Sequence, residues 1–199
     1  MIPVAPPPEP QAFDERCRRP GAAWLKANPR ASRPKDFWTP FKEDLASGSG
    51  QLCVYSAMFD PVGSVDHYLS WRGHPHLAYE WTNYRFSSEL MNKVKGTADD
   101  AVLDPYAVRA GWFEILLPSL QMRVTEAVPT SQRKKAEFTL QRLRLRDDER
   151  IIRWRRAWYE LYERGQLTIE GLRARAPLIA AAVERQQAMV ASANGAGVR

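Results

Sequence analysis

Short runs of β-type residues occupy the middle of this chain, and helical three- and four-residue steps occupy its last third. From Gln51 the pieces "QLCVYSAMF" and "SVDHYLSW" read as strands on either side of "DPVG", a turn signal. After the aromatic stretch "HPHLAYEWTNYR", the segment "FSSELMNKVKG" spaces Phe86, Leu90 and Val94 along one face and closes on Gly96, which predicts a short helix. A second β-rich stretch, "VLDPYAVRAGWFEILLPSLQMRVT", predicts a hairpin over Trp112 to Leu117 and Leu120 to Thr125. From Gln132 the pattern is helical in three blocks, with Asp147 or Asp148 and then Thr168 as N-caps, Gly165 as a C-cap and Pro177 as a break. The tail "SANGAGVR" is expected to fray.

The first 35 or so residues follow neither period. "VAPPPEPQAF" is proline-rich and "ANPRASRPKD" mixes proline with basic residues, so an extended N-terminal arm is expected, with "DERCRRPGAAWLKAN" as a short docking helix. "DFWTPFKEDLASGSG" predicts a helix from Pro40 to Leu45, stopped by glycines. No internal repeat is present.

A hydrophobic share of 44% with seven tryptophans is enough for one good core in 199 residues. The net charge of +6 favours polyanionic partners such as nucleic acid without identifying one. No apolar run approaches the ~18 residues of a membrane span, and "APLIAAAV" is far too short, so no membrane partner is expected. The start has no charged segment followed by an apolar one, and Cys17 and Cys53 are the only cysteines. A reducing cytoplasm is the simplest compartment.

Candidate chemistry lies in the middle segment. Asp66 and His67 are adjacent, Asn83 follows His67 by 16 positions and Asn92 by 25. Hydrolysis of a phosphodiester needs an activated water, neutralised phosphate charge and a stabilised leaving oxygen. An imidazole neutral near pH 7 suits the first task, and a hard divalent ion held by carboxylate and amide oxygens suits the other two. Neighbouring strand residues point to opposite sides, so Asp66 and His67 are suited to different jobs.

The segments "LCVYS", "VDHY", "HLAYEWTN" and "SELMNKVK" fall in order on a pattern of the form C-x-Y-C, V-D/E-H-F, P-x-L-x-Y-x-W-x-N and C-x-x-C-N-x-x-K. In this the chain resembles the HNH endonucleases, in the branch of PtuB-type antiphage nucleases and retron-associated proteins, from about Leu45 to Pro105. The resemblance implies an α+β protein with a central ββα-metal (HNH) module. On that reading residues 1–50 form an N-terminal arm with short helices, 51–96 the module, 97–130 a hairpin extension and 131–199 a C-terminal helical lobe. It further implies that Asp66 and Asn92 bind Mg²⁺ or Mn²⁺, that His67 is the general base and that Asn83 orients it. DNA is the implied substrate, and an ATPase partner that controls cutting is the implied setting. The family's four structural zinc cysteines fall on Cys53, Ser56, Ser88 and Met91, so no structural zinc is expected; Tyr55, Trp71, Trp81, Tyr84 and Met91 are the candidates to replace that staple by packing.

Around this set the roles are less specific. Lys93, Lys95 and Arg85 suit phosphate contact, although a solvated helix face is the ordinary role of the two lysines. Asn83 is also placed to cap a helix starting near Phe86, and His74 and His76 suit a loop. "RKKAEF" with Arg153, Arg155 and Arg156 reads as a solvated basic face or a DNA-backbone track. Ile152, Trp154, Trp158, Leu161 and Tyr162 have core or partner-interface spacing. The rival to an enzyme is a catalytically inactive HNH-shaped module for DNA binding or protein assembly; a helical protein-binding adaptor is a third reading.

Overall fold

The structure, a computed structural model, describes residues 1–196. Its mixed α+β character is as expected, with the strands confined to three two-stranded antiparallel ribbons. The N-terminal segment is docked rather than free. Met1 is 1% exposed, and the Pro7 carbonyl accepts a hydrogen bond from Trp81 Nε1 at 2.9 Å. A π-helical turn, Asp14–Arg18, leads into α1 (Arg19–Ala27). Gly21 of α1 lies against the Tyr79 ring, where an added Cβ would sit 2.3 Å from a ring carbon, so only glycine permits this approach. The helix expected from Pro40 begins later: Thr39–Phe41 is a 3₁₀ turn and α2 runs over Lys42–Gly48.

Strands β1 (Leu52–Cys53) and β2 (Met58–Phe59) pair around a tight turn. Asp60 then stops the chain, its Oδ1 accepting from the backbone N–H groups of Val62 and Gly63. Strand β3 (Ser64–His67) follows and pairs with β4 (Tyr84–Ser87), setting Asp66 opposite Arg85 and His67 opposite Tyr84. Helix α3 (Glu89–Lys95) comes next and packs on β3. Phe86 belongs to β4, so the helix expected from that residue begins only at Glu89. Its cap is Ser88, whose Oγ accepts from Met91 N at 3.2 Å, and not Asn83.

The expected hairpin is β5 (Phe113–Leu116) with β6 (Gln121–Val124). Four helices complete the chain: α4 (Thr130–Arg142), α5 (Glu149–Glu163), α6 (Ile169–Arg175) and α7 (Pro177–Ala196). Asp148 and Thr168 cap α5 and α6, and Gly165 takes a positive φ just beyond α5. Part of the tail expected to fray, residues 197–199, lies outside the described residues. No helix of the described residues is long and apolar enough to cross a membrane.

Two apolar clusters form. The larger gathers side chains from Met1 through Val183, including Tyr55, Met91, Ile115, Leu140 and Leu172. The smaller joins the N-terminal segment to the ribbon through Phe13, Trp38, Leu45, Trp81, Tyr84 and Phe86. Strand β4 feeds the second cluster while α3 feeds the first, so the β3–β4–α3 unit lies between them. One arginine read as part of a solvated face is instead internal. Arg155 is 1% exposed and donates to the carbonyls of Leu120 and Leu145, bracing two turns that the core would otherwise leave with unpaired acceptors.

Candidate active site

Asp66 turns from β3 toward α3 and is 2% exposed. Its Oδ2 accepts from the Tyr55 hydroxyl at 2.6 Å, and its Oδ1 accepts from Lys95 Nζ at 3.0 Å. Lys95 is fully buried and also donates to the His67 carbonyl at 2.9 Å. Lys95 is therefore not a phosphate contact: its ammonium is spent inside the protein, clamping the last turn of α3 onto β3. Burial, then the charge of Asp66, push the Tyr55 phenol well above its usual range, which keeps it a neutral donor.

His67 points to the opposite face. Its ring stands edge-on to Trp38 and Tyr84, with centroids at 4.7 and 5.1 Å. Nε2 lies 2.8 Å from the Ala78 carbonyl, which also accepts from the Tyr84 hydroxyl at 2.9 Å. A carbonyl only accepts, so Nε2 carries the proton and, in the neutral ring, Nδ1 keeps the lone pair. Burial lowers the imidazole pKa below its ordinary value, against the opposing effect of the Ala78 bond, so the neutral form prevails at pH 7.

Asn83, expected to orient the imidazole, makes no hydrogen bond to it among the described residues. Its Oδ1 accepts from Leu69 N at 2.8 Å, and its Nδ2 donates to the carbonyls of Leu69 and Leu77 at 2.9 and 3.1 Å. These bonds hold together the loop that carries Ala78, so Asn83 reaches His67 only through that loop. Arg85 is likewise internal, 3% exposed, with a bidentate pair to Asp104 at 2.8 and 2.7 Å and its guanidinium 3.9 Å above the Tyr106 ring. It is not available for phosphate. Lys93 is exposed.

Asp66, His67 and Asn92 contribute to the wall of one cavity of about 290 Å³, to which Arg33 and Arg72 also contribute. Asn92 is held by its Nδ2, which donates to Ser64 Oγ at 3.1 Å and the Val65 carbonyl at 3.2 Å, while its Oδ1 has no partner among the described residues. The donors suit a hard divalent ion in kind: the Asn92 amide oxygen and the lone pairs of Asp66 that Tyr55 and Lys95 leave over. Tyr55 and Lys95 would then act as the outer partners that orient a ligating carboxylate. Lys95 also offsets the charge of Asp66, and no three His, Cys, Asp or Glu side chains gather as a metal cluster among the described residues. The residues fit an ion that arrives with phosphate oxygens, the usual habit of Mg²⁺, better than one bound alone.

Arg33 and Arg72 escaped the sequence reading. The run "ANPRASRPKD" reads as part of an extended arm, and only docking of that segment beside β3 gives Arg33 a site to face. At three of the positions where the resemblance places zinc cysteines, Ser88 caps α3, Met91 fills the main core and Ser56 Oγ is buried without a hydrogen bond. Cys53 Sγ lies 3.9 Å from Ser87 Oγ, and Val54 N donates to the Phe86 carbonyl at 3.0 Å, fastening the β1–β2 turn to β4. Of the packing candidates, Tyr55 and Met91 lie in the larger cluster, Trp81 and Tyr84 in the smaller, and Trp71 packs against the smaller.

No protein-family model, curated protein or solved structure matches the chain. Its function has to be read from the site itself.

Proposed function

We propose that this chain is a nuclease of HNH type that hydrolyses DNA phosphodiester bonds. The observation that carries the reading is His67. Its proton is committed to Ala78 through Nε2 and its Nδ1 has no hydrogen-bond partner among the described residues. It lines one cavity with Asp66, Asn92 and two exposed arginines. In this reading Arg33 and Arg72 bind the phosphate oxygens, and Nδ1 of His67 takes a proton from the attacking water. Asn83 holds the loop that fixes the ring. Asp66 and Asn92 are the groups that would hold a divalent ion, which when bound supplies charge neutralisation at the phosphate and the leaving oxygen. The resemblance adds an antiphage setting and an ATPase partner, to which we assign no residue.

The buried pair of Asp66 and Lys95 favours a second reading. A carboxylate already neutralised from within suits a module that keeps the HNH shape for binding DNA or for assembly without cutting it.

Nicking of supercoiled plasmid in Mg²⁺, in Mn²⁺ and in EDTA separates the two. The nuclease reading expects nicking in the metal buffers, and a loss of about 10²- to 10⁴-fold in His67→Ala with an unchanged circular dichroism spectrum. Nicking by His67→Ala at the wild-type rate ends the mechanism. A wild-type chain that binds plasmid and never nicks it leaves the binding module.

A further inference from the structure

The His67 cavity does not stand alone. It shares Pro34, Trp71 and Arg72 with a second cavity of about 320 Å³, and Arg33, Trp38, Val65 and Asn92 with a third of about 590 Å³. The three make one groove with the candidate catalytic residues at its middle. Arg33, Arg72 and Lys93 are exposed along it and none has an ion-pair partner among the described residues. Two acids also face the third cavity. Asp36 is occupied by the backbone N–H groups of Trp38 and Thr39 and by the Thr39 hydroxyl, while Glu89 is exposed at the start of α3.

The second cavity differs in chemistry. Trp24 and Trp71 both line it, and Arg72 sets its guanidinium 5.2 Å from the centre of the Trp71 ring. Trp71 packs on the smaller core, whereas Trp24 is half-buried and packs against neither core. An indole left in a groove beside unpaired arginines is the arrangement that stacks a nucleobase next to a bound phosphate. A base inside a duplex has both faces covered by its neighbours and offers none to such a pocket.

We infer that the groove takes a single strand of nucleic acid, with an unpaired base against Trp24 and Trp71 and the adjoining phosphate at Arg33 and Arg72 beside His67. This deepens the nuclease reading. It rests on that reading for what happens to the strand and not for how the strand is held.

The test is fluorescence anisotropy of end-labelled 20-mers in EDTA with the full chain, comparing single-stranded DNA, the same sequence as a duplex, and single-stranded RNA. Single strands are expected to bind at least tenfold more tightly than the duplex, with affinity falling as salt rises. Trp24→Ala should weaken single-strand binding about 5- to 150-fold, the range for loss of one base stack, and Trp24→Phe should restore most of it. Because Trp24 lies outside both cores, this variant does not depend on a tolerant fold; Arg72→Ala gives a second loss through phosphate. Equal or tighter binding of the duplex, or no change in Trp24→Ala, overturns the inference. Cleavage of the same single strands and nicking of plasmid, both in Mg²⁺, run alongside. Trp24-dependent binding of single strands without any cleavage supports the groove and removes the nuclease, whereas His67-dependent cleavage of duplex that ignores Trp24→Ala keeps the nuclease and removes the groove. Comparison of the DNA and RNA strands assigns the sugar.

Discussion

At the scale of single residues, neighbours in sequence have opposite environments. Asp66 sits in an internal network with Tyr55 and Lys95, and His67, one position on, keeps an unpartnered ring nitrogen and lines a cavity. Alternation along β3 made the difference of roles legible in the sequence, but the partners were not: nothing in "VDHY" says that Lys95 will meet Asp66. The depressed pKa of His67 gives the pH dependence. Only the neutral ring accepts a proton, so the cleavage rate should be level in the alkaline range and fall with unit slope on an acid limb centred below the ordinary imidazole value of about 6.5, as measured by kcat/KM. The same shift acts on stability. The folded ring binds a proton less readily than the unfolded one, so its contribution is present above the unfolded value of about 6.5 and is lost as pH falls from there through the lower folded value. An acid limb centred above pH 7 would mean that another group is the base.

At the scale of elements, β3, β4 and α3 form a unit whose interior contact is the pair of Asp66 and Lys95. Spacing predicted the helix within three residues of its start and read Lys95 as an outer-face residue. That error follows from length: a seven-residue helix gives too few turns to fix which stripe is buried. Removing one partner of a buried pair strands the other charge, at a cost of about 3–5 kcal/mol. Lys95→Met should therefore lower the unfolding free energy in urea by about that amount, and adding Asp66→Asn should recover part of it, because no buried charge is then left alone. A loss below ~1 kcal/mol in Lys95→Met would show that the pair does not hold α3 in place. The β1–β2 turn, where the resemblance led us to expect packing in place of zinc, is tied to β4 by a backbone hydrogen bond and to the core by Tyr55.

At the scale of the whole molecule, the N-terminal segment is structural. The Met1 amine is buried, 3.9 Å from Met122 Sδ, and burial together with the charge of Arg155 lowers its pKa from 8.0 to about 4. A lowered amine pKa means that the folded state resists protonation, so this contribution is complete above pH 8 and declines as pH falls toward 4. A peptide fused to Met1 has to displace that contact from the core. N-terminal fusions should lower Tm by several degrees, and the same peptide at the C-terminus should leave it within a degree or two, by differential scanning fluorimetry. Equal Tm values for the two fusions would show that the start of the chain is not held there.

The sequence by itself determined the period of each element, the order of the ribbon, helix, hairpin and helical blocks, and the residue types able to do phosphodiester chemistry in the middle segment. Those features depend on neighbours within a few positions, where backbone geometry and caps act. What only the tertiary structure decided is which charges face water. Lys95, Arg85 and Arg155 went inside because Asp66, Asp104 and the turn carbonyls of Leu120 and Leu145 needed donors. Arg33 came to the candidate site because a proline-containing segment docked beside β3, whereas Arg72 reaches it from the loop that follows β3. The partners of those three buried cations lie 10 to 35 positions away along the chain, and Trp81 and Pro7 meet across 74, so no local pattern carries the pairing.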